Sequence, residues 1–198
     1  NDYLVFMPEC DSLNNLNENF RIQSVESVCS ENFWENVKVP NILNSIDIEL
    51  YHIPQNGVGL SENIECKKVI TLHDIIPLRM PETVSDRYLK IFNEELPKII
   101  DLCDGIITVS EFSKTDIAKE FNFPLEKIFV TPLAAEKIYK PLSKCRSKTF
   151  ITNKYGIEED FILYVGGFSP RKNILGLIEA YSRLPSKLTD NFKLVITG

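Results

Sequence analysis

The stretch Tyr164-Val165-Gly166-Gly167-Phe168-Ser169-Pro170-Arg171-Lys172-Asn173 decides how the whole chain is read. The apolar run Phe161 to Tyr164 enters it with strand-forming composition, which predicts a buried parallel strand. Ile174, Leu177, Ile178, Tyr181 and Leu184 follow at helical spacing. The stretch is therefore a turn between the carboxyl end of a strand and the start of a helix. Asn173 is placed to cap that helix through its side-chain oxygen. Backbone N–H groups and the positive end of the helix dipole favour an anion in such a turn. Gly166 and Gly167 allow close approach, and Arg171 and Lys172 supply fixed positive charge. Two readings stand on residue types alone: a diphosphate site, or an ordinary surface turn whose basic side chains are solvated.

Charge supports the first reading without deciding it. Over 198 residues the net charge is −6, but the distribution is uneven. Residues 1–133 carry 11 basic and 22 acidic side chains, whereas residues 134–198 carry 11 and 6. An acidic chain is a poor general nucleic-acid binder. A basic final segment suits a small, strongly anionic ligand. Hydrophobic content of 43% is that of a globular protein, and no apolar run is long enough to span a bilayer. No secretory leader is visible at the start, which is Asn1 and not methionine. Cys10, Cys29, Cys66, Cys103 and Cys145 are odd in number, widely spaced and without a C-x-x-C pair. That pattern points to a reducing compartment and away from a disulfide framework or structural zinc.

Strands are expected at Tyr3–Met7, Phe20–Val28, Ile46–Ile53, Lys67–His73, Gly105–Val109, Lys127–Thr131 and Phe192–Thr197. A helix beginning near Ser30 should run through Trp34 to Leu43 with an interruption at Pro40. Pro77 and Pro81 should hold a loop open to about Thr83. The amphipathic run Tyr88 to Cys103 should kink at Pro97, and Ser110 to Phe121 should form a helix capped by Ser110 or Ser113. Ala135 to Thr149 reads as a linker, followed by a short helix near Phe150 to Tyr155.

Alternating strands and helices imply α/β architecture with parallel sheets. Ligands then sit beyond the carboxyl ends of strands. His52, Asn56, His73, Asp74, Ser110 and Gly166 all fall at such ends. For His73 a structural histidine at a strand end is the competing reading, and for Ser110 a helix cap.

Several motifs, in order, resemble glycosyltransferase family four, in the bacterial branch related to mannosyltransferases. Trp34-Glu35 with Val39-Pro40 resembles its Trp-Glu…Leu-Pro helix, and His52-Ile53-Pro54-Gln55-Asn56 its His-x-Pro-x-Asn loop. Thr71-Leu72-His73-Asp74-Ile75-Ile76-Pro77 is similar to its Thr-x-His-Asp-x-x-Pro segment. Ile107 to Lys114 resembles its Val-Ser-Glu-Phe-Ser/Thr-Lys element, and Gly166 to Asn173 its donor loop. The resemblance implies a GT-B fold of two facing Rossmann-like domains. Residues 1–141 would form the acceptor-side domain, and residues 142–198 the beginning of the nucleotide-sugar-binding domain.

The resemblance further implies a retaining, metal-independent hexosyltransferase, with GDP-mannose as a candidate donor and a glycan or lipid-linked acceptor. No cofactor is implied, and the Asp-x-Asp pattern of metal-dependent transferases is absent. Gly166, Gly167, Arg171, Lys172 and Asn173 would hold the donor, with Arg171 and Lys172 on its diphosphate. His73 would face the transferred sugar, while His52, Asn56, Asp74 and Ser110 would line the acceptor side. The cysteine pattern makes cytoplasmic the default location; a lipid-linked acceptor would allow peripheral association at the inner membrane face, although no basic amphipathic helix argues for it. The chain departs from the family at Gly167, where many members carry arginine. The family's glutamate pair, spaced eight apart, would fall after Gly198, so these 198 residues alone are expected to be inactive. A non-catalytic scaffold or nucleotide-sugar-binding protein of the same fold is the alternative. A dinucleotide oxidoreductase is disfavoured because no G-x-G-x-x-G follows a strand.

Overall fold

Short β-rich runs separated by helices pair here as parallel strands throughout. The computed structural model describes residues 1–8, 17–25 and 34–198. The expected helix start near Ser30, the end of the Phe20 strand after Val25, and Cys10 and Cys29 lie outside the described residues. The chain divides into two compact units, residues 1–74 with 94–130 and residues 75–93 with 131–198.

In the first unit β1 (Tyr3–Pro8) and β2 (Phe20–Val25) form a parallel pair. A second sheet has the order β3 (Leu50–Ile53), β4 (Lys67–Thr71), β5 (Gly105–Thr108) and β6 (Ile128–Val130), every neighbour parallel. The Ile46 strand is shorter than expected. Pairing begins where Leu50 meets Lys67, so the residues before it have no partner in register. Ile70, Ile106, Ile117 and Ile128 are almost fully buried and form the centre of the core with Leu72 and Leu96. Each buried aliphatic side chain contributes about 1.5–3 kcal/mol of transfer free energy.

Prolines explain where helices begin. Pro40 and Pro97 occupy the second positions of α1 (Val39–Ser45) and, further along, of the helix Leu96–Leu102. Each helix follows directly on a π-helical turn, Trp34–Lys38 and Ile91–Glu95, where the wider turn accommodates a residue that has no N–H to donate to the turn before it. The Pro77 loop is itself helical, because Pro77 stands in a first turn where its missing N–H has no intrahelical partner to lose: α2 (Ile76–Arg79) and a 3₁₀ turn at Pro81–Thr83 replace the expected open segment. The long amphipathic run divides into α3 (Asp86–Lys90), a π-helical turn at Ile91–Glu95 and α4 (Leu96–Leu102), as Pro97 requires. Helix α5 (Glu111–Phe121) is capped by Ser110, whose hydroxyl accepts the Ser113 N–H at 3.1 Å. Replacing Ser110 by alanine is expected to cost about 1 kcal/mol, read as a lower urea midpoint with unchanged slope.

The second unit contains α6 (Lys144–Tyr155), β7 (Asp160–Val165), a 3₁₀ turn at Pro170–Lys172, α7 (Ile174–Ser182), α8 (Ser186–Asn191) and β8 (Phe192–Thr197). Helix α6 reaches well into the segment read as a linker. None of its residues is buried, so no apolar period marked it in the sequence. Strands β7 and β8 pair parallel from Asp160↔Phe192 to Val165↔Thr197. The Phe161 run is thus a parallel strand but not a buried one: Ile162 is 45% and Leu163 53% exposed. Two strands do not make a layer that covers both of its own faces. Among the described residues no helix is long and apolar enough to cross a membrane.

Candidate functional site

In the first unit the candidate residues gather around two threonines that end neighbouring strands. Thr71, the last residue of β4, is nearly buried, and its hydroxyl lies 2.8 Å from His52 Nε2 on β3. Its carbonyl accepts the Asn56 N–H at 2.9 Å, which draws the loop after β3 across the end of β4. Partial burial lowers the pKa of His52 from its ordinary value, so the neutral ring is the form held against Thr71. Thr108, which ends β5 and is fully buried, donates its hydroxyl to the His73 carbonyl at 3.3 Å. The Leu72 N–H meanwhile donates to Ile107 at 2.9 Å. Those two bonds fix the backbone on either side of His73 and leave its imidazole exposed. Asp74 is the next residue and is half-buried.

His52, Asn56 and His73 are therefore brought together at the carboxyl ends of β3, β4 and β5. Ser110 stands at the same end, but its hydroxyl is engaged: it caps α5 and also donates to the Ser113 hydroxyl at 3.0 Å. The phenol next to His52 on β3 stays neutral. Burial, with the Glu35 carboxylate adding to it, pushes the Tyr51 phenol up to about 12. Asp104 lies at the opposite end of the sheet. Its carboxylate accepts from Lys67 Nζ at 2.8 Å and from the Lys68 N–H at 2.9 Å, and these bonds, that from Lys67 foremost, hold its pKa below the usual value. Asp104 is thus a strand clamp. Among the described residues no group of three His, Cys, Asp or Glu side chains is placed to hold a metal ion.

The second unit carries the other candidates on one loop. Gly166 leaves β7 at φ +154, with its N–H bonded to the Thr197 carbonyl at 2.9 Å. The chain does not pass straight into the helix. Pro170, Arg171 and Lys172 form the 3₁₀ turn, closed by Lys172 N–H to Ser169 at 2.9 Å and Asn173 N–H to Pro170 at 3.0 Å. Asn173 then takes a left-handed conformation (φ 48) and accepts the Gly176 N–H at 3.3 Å, capping α7 as expected. Arg171 and Lys172 are exposed, and neither side chain has a hydrogen-bond or ion-pair partner among the described residues. Gly167 is also exposed, and a Cβ there would touch nothing within 4 Å. The loop thus offers two cations and open backbone to an anion.

Thr71, Thr108, Tyr164 and Gly198 have roles in holding these sites that their places in the sequence motifs do not announce. A threonine directly after an aliphatic pair at a strand's carboxyl end, Val69-Ile70-Thr71 and Ile106-Ile107-Thr108, is the signal that could have found the first two. Gly198 lies so close to the Gly166 carbonyl that a Cβ would stand 2.0 Å from its oxygen. Only the pairing of β7 with β8 reveals that contact.

Residues 15–135 match the model of Glycosyltransferase Family 4, and residues 147–198 that of Glycosyl transferases group 1. The chain is 33% identical over 150 residues to O-antigen chain mannosyltransferase B of Escherichia coli, covering 75% of this chain and 38% of that protein. It is 25% identical over 160 residues to the serotype-specific mannosyltransferase WbdA of Escherichia coli, covering 79% of this chain and 20% of that protein. It is 30% identical over 129 residues to O-antigen chain mannosyltransferase RfbU of Salmonella typhimurium, covering 65% of this chain and 31% of that protein. It therefore spans well under half the length of these relatives. On a match that covers more than half of its residues, the chain belongs to glycosyltransferase family 4.

Proposed function

We propose that the full-length protein transfers a hexose, with mannose the first candidate, from a nucleoside diphosphate sugar to a glycan or lipid-linked acceptor. The names of the three relatives favour mannose. The observation that carries the reading is the Gly166–Asn173 loop, where Arg171 and Lys172 stand exposed and unpaired among the described residues. As the glycosidic bond breaks, negative charge develops on the departing diphosphate, and two fixed cations lower the energy of that state. In this reading residues 1–141 form the acceptor side and residues 142–198 begin the donor side of a GT-B protein. His73, with its backbone held by the Thr108 hydroxyl and, through the Leu72 N–H, by the Ile107 carbonyl, presents an imidazole that can hydrogen-bond a sugar hydroxyl. We assign it no proton abstraction. The reaction in this reading retains anomeric configuration and requires no metal ion.

The test is transfer by the full-length protein. GDP-mannose and UDP-glucose are each incubated with a mannose-terminated lipid-linked oligosaccharide, with and without EDTA. Product is followed by mass spectrometry and its anomeric configuration by NMR. Mannose addition with GDP release, insensitive to EDTA and giving an α-linkage, is expected. A folded protein that transfers neither sugar would count against the proposal.

A further inference from the structure

Tyr164 sits at the end of β7 with its ring turned along the glycine turn, and no part of the proposed donor chemistry uses it. Its hydroxyl donates to the Gly167 carbonyl at 3.0 Å. The same hydroxyl would lie 3.0 Å from a Cβ built on Gly166, so the ring crosses a position that glycine keeps clear. Meanwhile the Gly166 carbonyl is pressed against Gly198, and the Gly166 N–H is bonded to Thr197. The turn is thus held by two hydrogen bonds, one to the Tyr164 side chain and one to the end of β8, and passes close to Gly198.

Peptide geometry converts those ties into a direction. In a trans peptide the carbonyl and the following N–H point opposite ways, and no cis peptide occurs among the described residues. With the Gly166 carbonyl facing Gly198 and the Gly167 carbonyl held by the Tyr164 hydroxyl, the Gly167 and Phe168 N–H groups point the opposite ways. Neither amide has a hydrogen-bond partner among the described residues. Successive N–H groups facing outward form a concave trap for an anion.

We propose that Tyr164 is a positioning residue that locks the Gly167–Phe168 peptide with its carbonyl inward and its amide toward the diphosphate. This rests on reading the loop as a diphosphate site. The hydroxyl need not touch the ligand; it decides which face of one peptide the ligand meets. Without it the Gly167 peptide is freer to rotate, because glycine on one side imposes little restriction.

The experiment uses the full-length protein and measures GDP and GMP affinities by calorimetry, with UDP and UMP in parallel. The variants are Tyr164→Phe and, separately, the double variant Arg171→Ala/Lys172→Ala. Tyr164→Phe keeps the ring and removes one hydrogen bond. It is expected to weaken diphosphate binding about fivefold, leave monophosphate binding unchanged and move the melting temperature by less than about 2 °C. If Tyr164→Phe binds diphosphate normally while the double variant does not, the lock is refuted and the diphosphate site stands. Equal weakening toward mono- and diphosphate, or a large fall in melting temperature, would also refute it, since either marks a merely structural tyrosine. If neither variant alters diphosphate binding, the reading of the loop fails and the lock falls with it.

Discussion

Arg171→Ala combined with Lys172→Ala is expected to weaken GDP binding by the full-length protein about a hundredfold, and each change alone about tenfold. A hydrogen bond to a charged group is worth about 1.5–3 kcal/mol, and 1.4 kcal/mol is a factor of ten. Both side chains are exposed, so solvent and salt screening place the effect near the lower end of that range. The stability of the fold should not change by more than about 0.5 kcal/mol, because no hydrogen bond or ion pair of either side chain within the described residues is lost. That combination separates a ligand contact from a structural one. Turnover should suffer beyond binding, since charge on the departing diphosphate is greatest in the transition state. Arg171→Lys is the finer probe: it keeps the charge and loses the two-pronged grip, so it should fall between wild type and Arg171→Ala. Calorimetric titration with GDP decides the matter. A change of less than threefold in the double variant would remove the diphosphate from this loop.

Much of this was legible in the sequence because local chemistry and fold agree. The Phe161 run, the glycine pair and the Ile174 period each follow from composition, and the structure has the strand, turn and helix in those places. Pro40 and Pro97 predict interruptions, and α1 and α4 begin anew there, each after a π-helical turn. What escaped was whatever depends on a partner strand. The true start of β3 is set by Lys67 on β4, which nothing near Ile46 announces. The Phe161 run reads as a buried strand because apolar content reports capacity for burial, whereas actual burial depends on what lies against the strand. The site was legible as positions but not as a network. His52 and His73 could be placed at strand ends, yet the threonines that hold them come from the adjacent strands. Ser110 shows the converse, a residue whose local role as a cap was readable and accounts for its hydrogen bonds.

A second large effect is expected at a residue that touches no substrate in any reading. Gly57→Ala should destabilise the protein by about 2–4 kcal/mol and lower its melting temperature by roughly 5–15 °C. Asn56 and Gly57 are consecutive left-handed residues, at φ 53 and φ 71, in a turn closed by Val58 N–H to the Gln55 carbonyl at 3.3 Å. Positive φ at both central positions is the type I′ signature, for which Asn-Gly is a preferred pair. Conformation alone would cost alanine only about 1–2 kcal/mol. Packing is the larger problem: a Cβ on Gly57 would lie 2.5 Å from Ile99 Cγ2 and 2.7 Å from Ile70 Cγ2, and both residues are core side chains. Neither isoleucine can withdraw without opening a void elsewhere. Gly156 supplies the control. It is left-handed too, at φ 69, but nothing lies within 4 Å of its Cβ position, so Gly156→Ala should cost about 1 kcal/mol. Thermal and urea melts of the two variants measure the difference. Displacing Gly57 would also carry Asn56 away from the Thr71 carbonyl, and with it the support for the His52–Thr71 contact. Activity should therefore fall in Gly57→Ala even at temperatures where the protein is still folded, whereas Gly156→Ala should keep it. Equal losses of stability in the two variants would show that the isoleucines yield and that the loop after β3 is not held by the core.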